Sequence, residues 1–114
     1  MKKTFYIKNS VLGLEAYEGI KGKVSINGNL IVLEYDEDTI LYGDTFFPIF
    51  VEEYKAWTGI KNGSLLFSTE RAKEIKSMIT LYMRNCIMLN LDLFFRLHGP
   101  EIFGSLEPEG PSIA

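Results

Sequence analysis

The sequence predicts an α+β domain in which a mostly antiparallel, curved β-sheet from the first two-thirds of the chain packs against one long C-terminal helix. Three observations lead there. Phe5-Tyr6-Ile7, and the residues on either side of Asn27-Gly28, suit a pleated, half-buried surface. Asn27-Gly28 and Asn62-Gly63 are dipeptides that tight hairpin turns select, because both central positions of a type I′ turn need positive φ. From residue 68 the period changes: Ala72, Ile75, Ile79, Tyr82, Cys86, Leu89 and Leu93 recur at steps of three and four, one stripe of an α-helix.

Taken in order, residues 4–8 read as a strand and residues 11–14 as a second candidate, while 15–19 carry too brief a pattern to assign. A turn on Asn27-Gly28 sets a register. Ile26 then faces Asn29, Val24 faces Ile31, Gly22 faces Leu33 and Ile20 faces Tyr35, on a mostly apolar side. Lys21 with Glu34, Lys23 with Val32 and Ser25 with Leu30 make the other side, and a one-residue slip would exchange the two. Asp36-Glu37-Asp38 reads as a polar turn and residues 39–42 as a returning strand closed by Gly43-Asp44. Residues 46–57 fit two patterns. As a helix they place Pro48 early and Phe50, Tyr54 and Trp57 on one face. As strands they put Pro48 at an edge or bend. The reading adopted is a strand over 46–51 and a hairpin over 54–67 around Asn62-Gly63.

The helix over residues 68–97 begins with N-cap oxygens from Ser68 and Thr69 and an acid, Glu70, in its first turn. Gly99-Pro100 ends it. Unbroken, it is roughly 40 Å long. Its second half carries apolar side chains around most of its girth, which one small sheet cannot cover. A break near Asn90, with the helix folding over itself, or cover from loops and the tail, is the competing account. The domain is expected to span residues 1–99, with 100–114, rich in proline, glycine and acid, as an extended or mobile tail.

Composition narrows function by exclusion. The chain has 114 residues, too few for two independent cores. Its 13% aromatic residues allow a core of useful size. A net charge of −3, with dispersed basic residues, argues against a nucleic-acid partner. One cysteine excludes an internal disulfide and a cysteine-rich metal site, so a reducing cytosol is the expected compartment. No signal peptide or membrane span is read, and no cofactor is expected. Cys86 and His98 are the only thiol and imidazole, but a continuous helix holds them roughly 18 Å apart. No catalytic residue is assigned. His98 is read as a cation at the helix C-terminus.

Two surfaces remain. Met83, Ile87, Met88, Leu91, Phe94 and Phe95, lying off the main stripe, form a candidate docking face for another protein or for a second copy of the chain. Glu34, Asp36, Glu37, Asp38 and Asp44 form a candidate acidic face in a stretch, 34–53, without lysine or arginine. Asp36-Glu37-Asp38 lacks a calcium-loop pattern, so no metal site is assigned. The function expected is a non-catalytic protein-interaction module, an inhibitor, adaptor or assembly component in the cytoplasm, with homo-oligomer formation expected. The alternative is a small-ligand sensor or enzyme with an aromatic pocket lined by Tyr42, Phe46, Trp57 and Tyr82.

Overall fold

The computed structural model describes residues 2–20, 22–36, 42–59 and 67–103. It is α+β, a four-stranded mixed sheet with three α-helices. The strands are β1 (Lys2–Lys8), β2 (Lys23–Asn27), β3 (Leu30–Asp36) and β4 (Met88–Asn90). The helices are α1 (Tyr42–Thr58), α2 (Thr69–Asn85) and α3 (Leu91–Phe103). Strand order is β2-β3-β1-β4. Two of the pairings are antiparallel, but β4 runs parallel to β1, so the sheet is mixed. One face of the sheet, carrying Phe5, Ile7, Ile31, Leu33, Tyr35 and Leu89, is buried in a single core with residues of all three helices.

The first hairpin forms, with its register moved by two positions. Asn27 pairs with Leu30 and Ile26 with Ile31, so the central pair is Gly28-Asn29. Of these two only Gly28 has positive φ, at 63°. A loop with positive φ at the first central position alone asks for glycine there and leaves Asn27 free to stay in the strand. An even displacement preserves the faces: Val24 and Ile26 still meet Leu33 and Ile31, and Lys23 takes the place opposite Glu34 that Lys21 was expected to hold.

Residues 11–14 are not a strand. Asn9 and Gly13 have positive φ, 65° and 78°, and turn the chain into a short 3-10 helix, Leu14–Tyr17. Tyr42 and residues 43–58 form one helix, which corrects the strand expected to end at Tyr42, the strand over 46–51 and the start of the second hairpin. Tyr42, Phe46, Phe50 and Glu53 make its buried stripe, while Pro48 faces water. The helical pattern was present, and burial of three large aromatic rings outweighs the lost hydrogen bond at Pro48. Residues 37–41 and 60–66, with Asn62-Gly63, lie outside the described residues. Gly43 lets α1 touch α2, since a Cβ there would overlap the Lys76 carbonyl. Its N–H donates to Thr80 Oγ1 at 2.8 Å.

The long helix starts as expected, with Ser68 Oγ accepting from the Arg71 N–H at 3.1 Å. It does not continue. Cys86 is extended, β4 follows, and α3 runs back against α2, with Tyr82 against Phe94 and His98. Lys3 Nζ donates to the Met83 and Arg84 carbonyls, both at 3.0 Å, and so satisfies the end of α2. Asn90 Oδ1 accepts from the Leu93 N–H at 3.0 Å and caps α3. Gly99-Pro100 does not end α3, because Ile102 and Phe103 beyond it are buried in the core. Residues 100–103 are therefore the last turn of α3, packed on the core through Ile102 and Phe103.

Candidate functional site

The break at residues 86–90 resets the phase of the apolar pattern. Met83, Leu91, Phe94 and Phe95, expected on the docking face, are buried in the chain's own core. Leu93, expected on the core stripe, faces water. Of the predicted set, Ile87 and Met88 remain exposed, Ile87 at 75%. The folded-back helix supplies the cover that one sheet could not, with Phe94 edge-on to Phe50 and Tyr82.

Exposed apolar residues nonetheless concentrate in this part of the sequence. Seven large hydrophobic side chains are exposed among the described residues, and five, Leu81, Ile87, Met88, Leu93 and Leu97, fall within residues 81–97. Leu93 and Leu97 are one turn apart on α3. Leu81 precedes Tyr82, and Leu97 precedes His98, at a seam where the two rings lie 6.1 Å apart. In antiparallel helices a step back from each contact residue turns toward the same side, so Leu81 and Leu97 share the outer flank of the α2–α3 seam. Met88 stands beside Tyr6 on the edge strand, on the sheet face away from the core.

The acidic face is less concentrated than its residues suggest. Glu34 lies opposite Lys23 and Asp36 opposite Lys2, while Asp44 pairs with Lys76 at 3.2 Å. Glu37 and Asp38 lie outside the described residues.

One acid of the same stretch has gone inside. Glu53 on α1 is fully buried, and its carboxylate accepts four hydrogen bonds. Ser10 Oγ and Tyr17 Oη each donate to Oε2 at 2.6 Å, and the N–H groups of Val11 and Leu12 donate to Oε1 at 3.0 and 3.1 Å. Two successive amides between positive-φ residues form an anion-binding nest. Burial, then the charge and hydrogen bond of Glu53, push the Tyr17 phenol well above its ordinary range. A carboxylate offers about four acceptor sites, and four bonds fill them, so Glu53 holds the 9–17 segment onto α1. Helical spacing from Phe46 and Phe50 puts Glu53 on the apolar stripe and leaves Glu52 off it, a distinction that the strand reading of 46–51 hid.

The fold brings Cys86 and His98 close to one side chain, Tyr82: Cys86 acts electrostatically on its phenol, and the His98 ring lies 6.1 Å from its ring. The Cys86 thiol donates a hydrogen bond to the Met88 carbonyl oxygen. His98 lies inside α3 and not at its end, against Tyr82 and Phe94. Burial, then Cys86, raise the pKa of Tyr82. The four residues of the expected aromatic pocket separate: Tyr42 and Phe46 pack on Tyr35, Trp57 on Tyr54 and Phe95, and Tyr82 on Phe94. Among the described residues no three of His, Cys, Asp and Glu are grouped to hold a metal ion, and no helix is long and apolar enough to cross a membrane. Compared with models of protein families, with curated proteins and with solved structures, the chain matches none.

Proposed function

We propose that this chain is a non-catalytic protein-interaction module that binds through the exposed apolar residues of the α2–α3 seam. The observation that supports it is the grouping of Leu81, Leu93 and Leu97, each at least 50% exposed, along the outer flank of the α2–α3 seam. Grouped apolar side chains on a surface mark interaction sites more than scattered ones do. Leu93 and Leu97 on α3, with Leu81 beside them across the α2–α3 seam, replace the buried residues as the contact set, and Met88, on the far face of the sheet, stands apart from it. The acidic face contributes less, because lysines stand opposite its described members.

The test is the variant Leu93→Asp/Leu97→Asp, which alters two exposed positions and leaves the core intact. The native mass is measured by light scattering, alone and with extract of the source cells, with circular dichroism as the check on folding. A complex or oligomer formed by the wild type and lost in the folded variant supports the reading. Equal behaviour of the two proteins overturns it.

A further inference from the structure

We infer that a second copy of this chain docks antiparallel on the outer face of α2, with Leu81 of each copy seated over Ser77 of the other. The inference names an occupant for the α2 border of the surface proposed above, and rests on that reading only there. Glu70, Lys73, Glu74, Ser77, Leu81 and Arg84 are all exposed and recur at helical spacing along one stripe. An open hollow of about 440 Å³ lies on this stripe, lined by Lys73, Glu74, Ser77, Met78 and Leu81. Ser77, the smallest of these side chains, is exposed, and one turn away stands Leu81, 60% exposed. Knob and hollow therefore occur on the same helix, the arrangement a two-fold interface requires.

Charge fixes the direction. Setting Leu81 over Ser77 of an antiparallel copy brings Arg84 level with Glu74 of that copy, with Glu70 one turn beyond. The reciprocal pair forms at the other end. Arg84 makes no ion pair among the described residues, and Glu74, 67% exposed, holds only Arg71 of its own helix. A parallel copy would set Arg84 against Arg84. A helix of 17 residues gives a contact at the small end of specific interfaces, so the dimer dissociates on dilution.

Sedimentation velocity over roughly 10 to 500 µM reads the equilibrium. The wild type is expected to pass from monomer to dimer in that range. Glu74→Arg and Arg84→Glu each place like charges at both ends and weaken the dimer by at least about tenfold. Mixed in equal amounts, the two variants restore opposite charges and form a heterodimer. Leu81→Gln weakens association without changing charge and serves where a charge variant fails to fold. A wild type that stays monomeric, or a dimer indifferent to all three changes, overturns the inference. A complex that depends on Leu93 and Leu97 while α2 stays unpaired leaves the functional reading standing and removes only this one.

Discussion

Replacing Glu53 by alanine tests the largest single polar commitment in the fold. The carboxylate serves two hydroxyls and two backbone amides, all within 3.1 Å, at a fully buried position. Its removal leaves the Val11 and Leu12 amides and the Tyr17 hydroxyl without their acceptor, at about 1–3 kcal/mol for each group that stays dry. Some relaxation toward water at Val11, which is exposed, lowers the sum, and an expected loss is about 3–5 kcal/mol. For a domain of this size that is a large share of the total and lowers Tm by roughly 10–20 °C. Glu53→Gln keeps one acceptor and is expected to cost about half as much, and Tyr17→Phe about 1–2 kcal/mol. Urea denaturation of the three variants, with Glu53→Gln/Tyr17→Phe closing a double-mutant cycle, measures the coupling. A Glu53→Ala variant within about 0.5 kcal/mol of the wild type would refute the latch.

Three further outcomes are expected. Gly43→Ala puts a methyl group against the Lys76 carbonyl and should cost about 2–3 kcal/mol in urea denaturation, with Gly19→Ala as the uncrowded comparison. Lys3→Met removes the ammonium that serves both carbonyls at the end of α2 and should cost about 1 kcal/mol, with faster amide exchange at residues 86–88. Burial raises the Tyr17 and Tyr35 pKa values above the unfolded value of about 10. Below that pH both states keep the phenolic protons and their contribution is whole; above it the unfolded chain releases them first, so stability falls as pH rises. Urea midpoints from about pH 8 to 11 should show that decline, and Tyr17→Phe should flatten it.

The strands and the start of α2 were legible because their signals are local: Phe5 and Ile7 alternate, Gly28 marks a turn, and Ser68 is followed by an acid. The outcome at residues 42–58 was ambiguous for a physical reason. Pro48 argues against a helix interior, and only the core decides that Tyr42, Phe46 and Phe50 share a face. The break at Cys86 was less visible still. Its one written trace is Asn90, a capping residue inside an apolar run with Asp92 after it; the other cause, Lys3, acts from eighty residues away. Since that break decides which of Leu91, Leu93, Phe94 and Leu97 meet water, the candidate surface was misplaced with it. Helical spacing from Phe50 marks Glu53 as inward, but its four partners were not legible, since they come from residues 10–17.

Of the four described strands, β1 precedes the others in the sequence, yet it waits for the last of them, β4. Its second edge is closed by residues 88–90, and its Lys3 reaches for carbonyls of residues 83 and 84. A nascent chain that has emerged only as far as α1 holds β1 beside β3 with one rim unfilled, open to the same rim of a neighbouring chain. Ribosomes reading one message in close file would therefore present matching open rims together, and polypeptides cut short before residue 88 should be recovered as aggregates while the full chain is recovered dispersed.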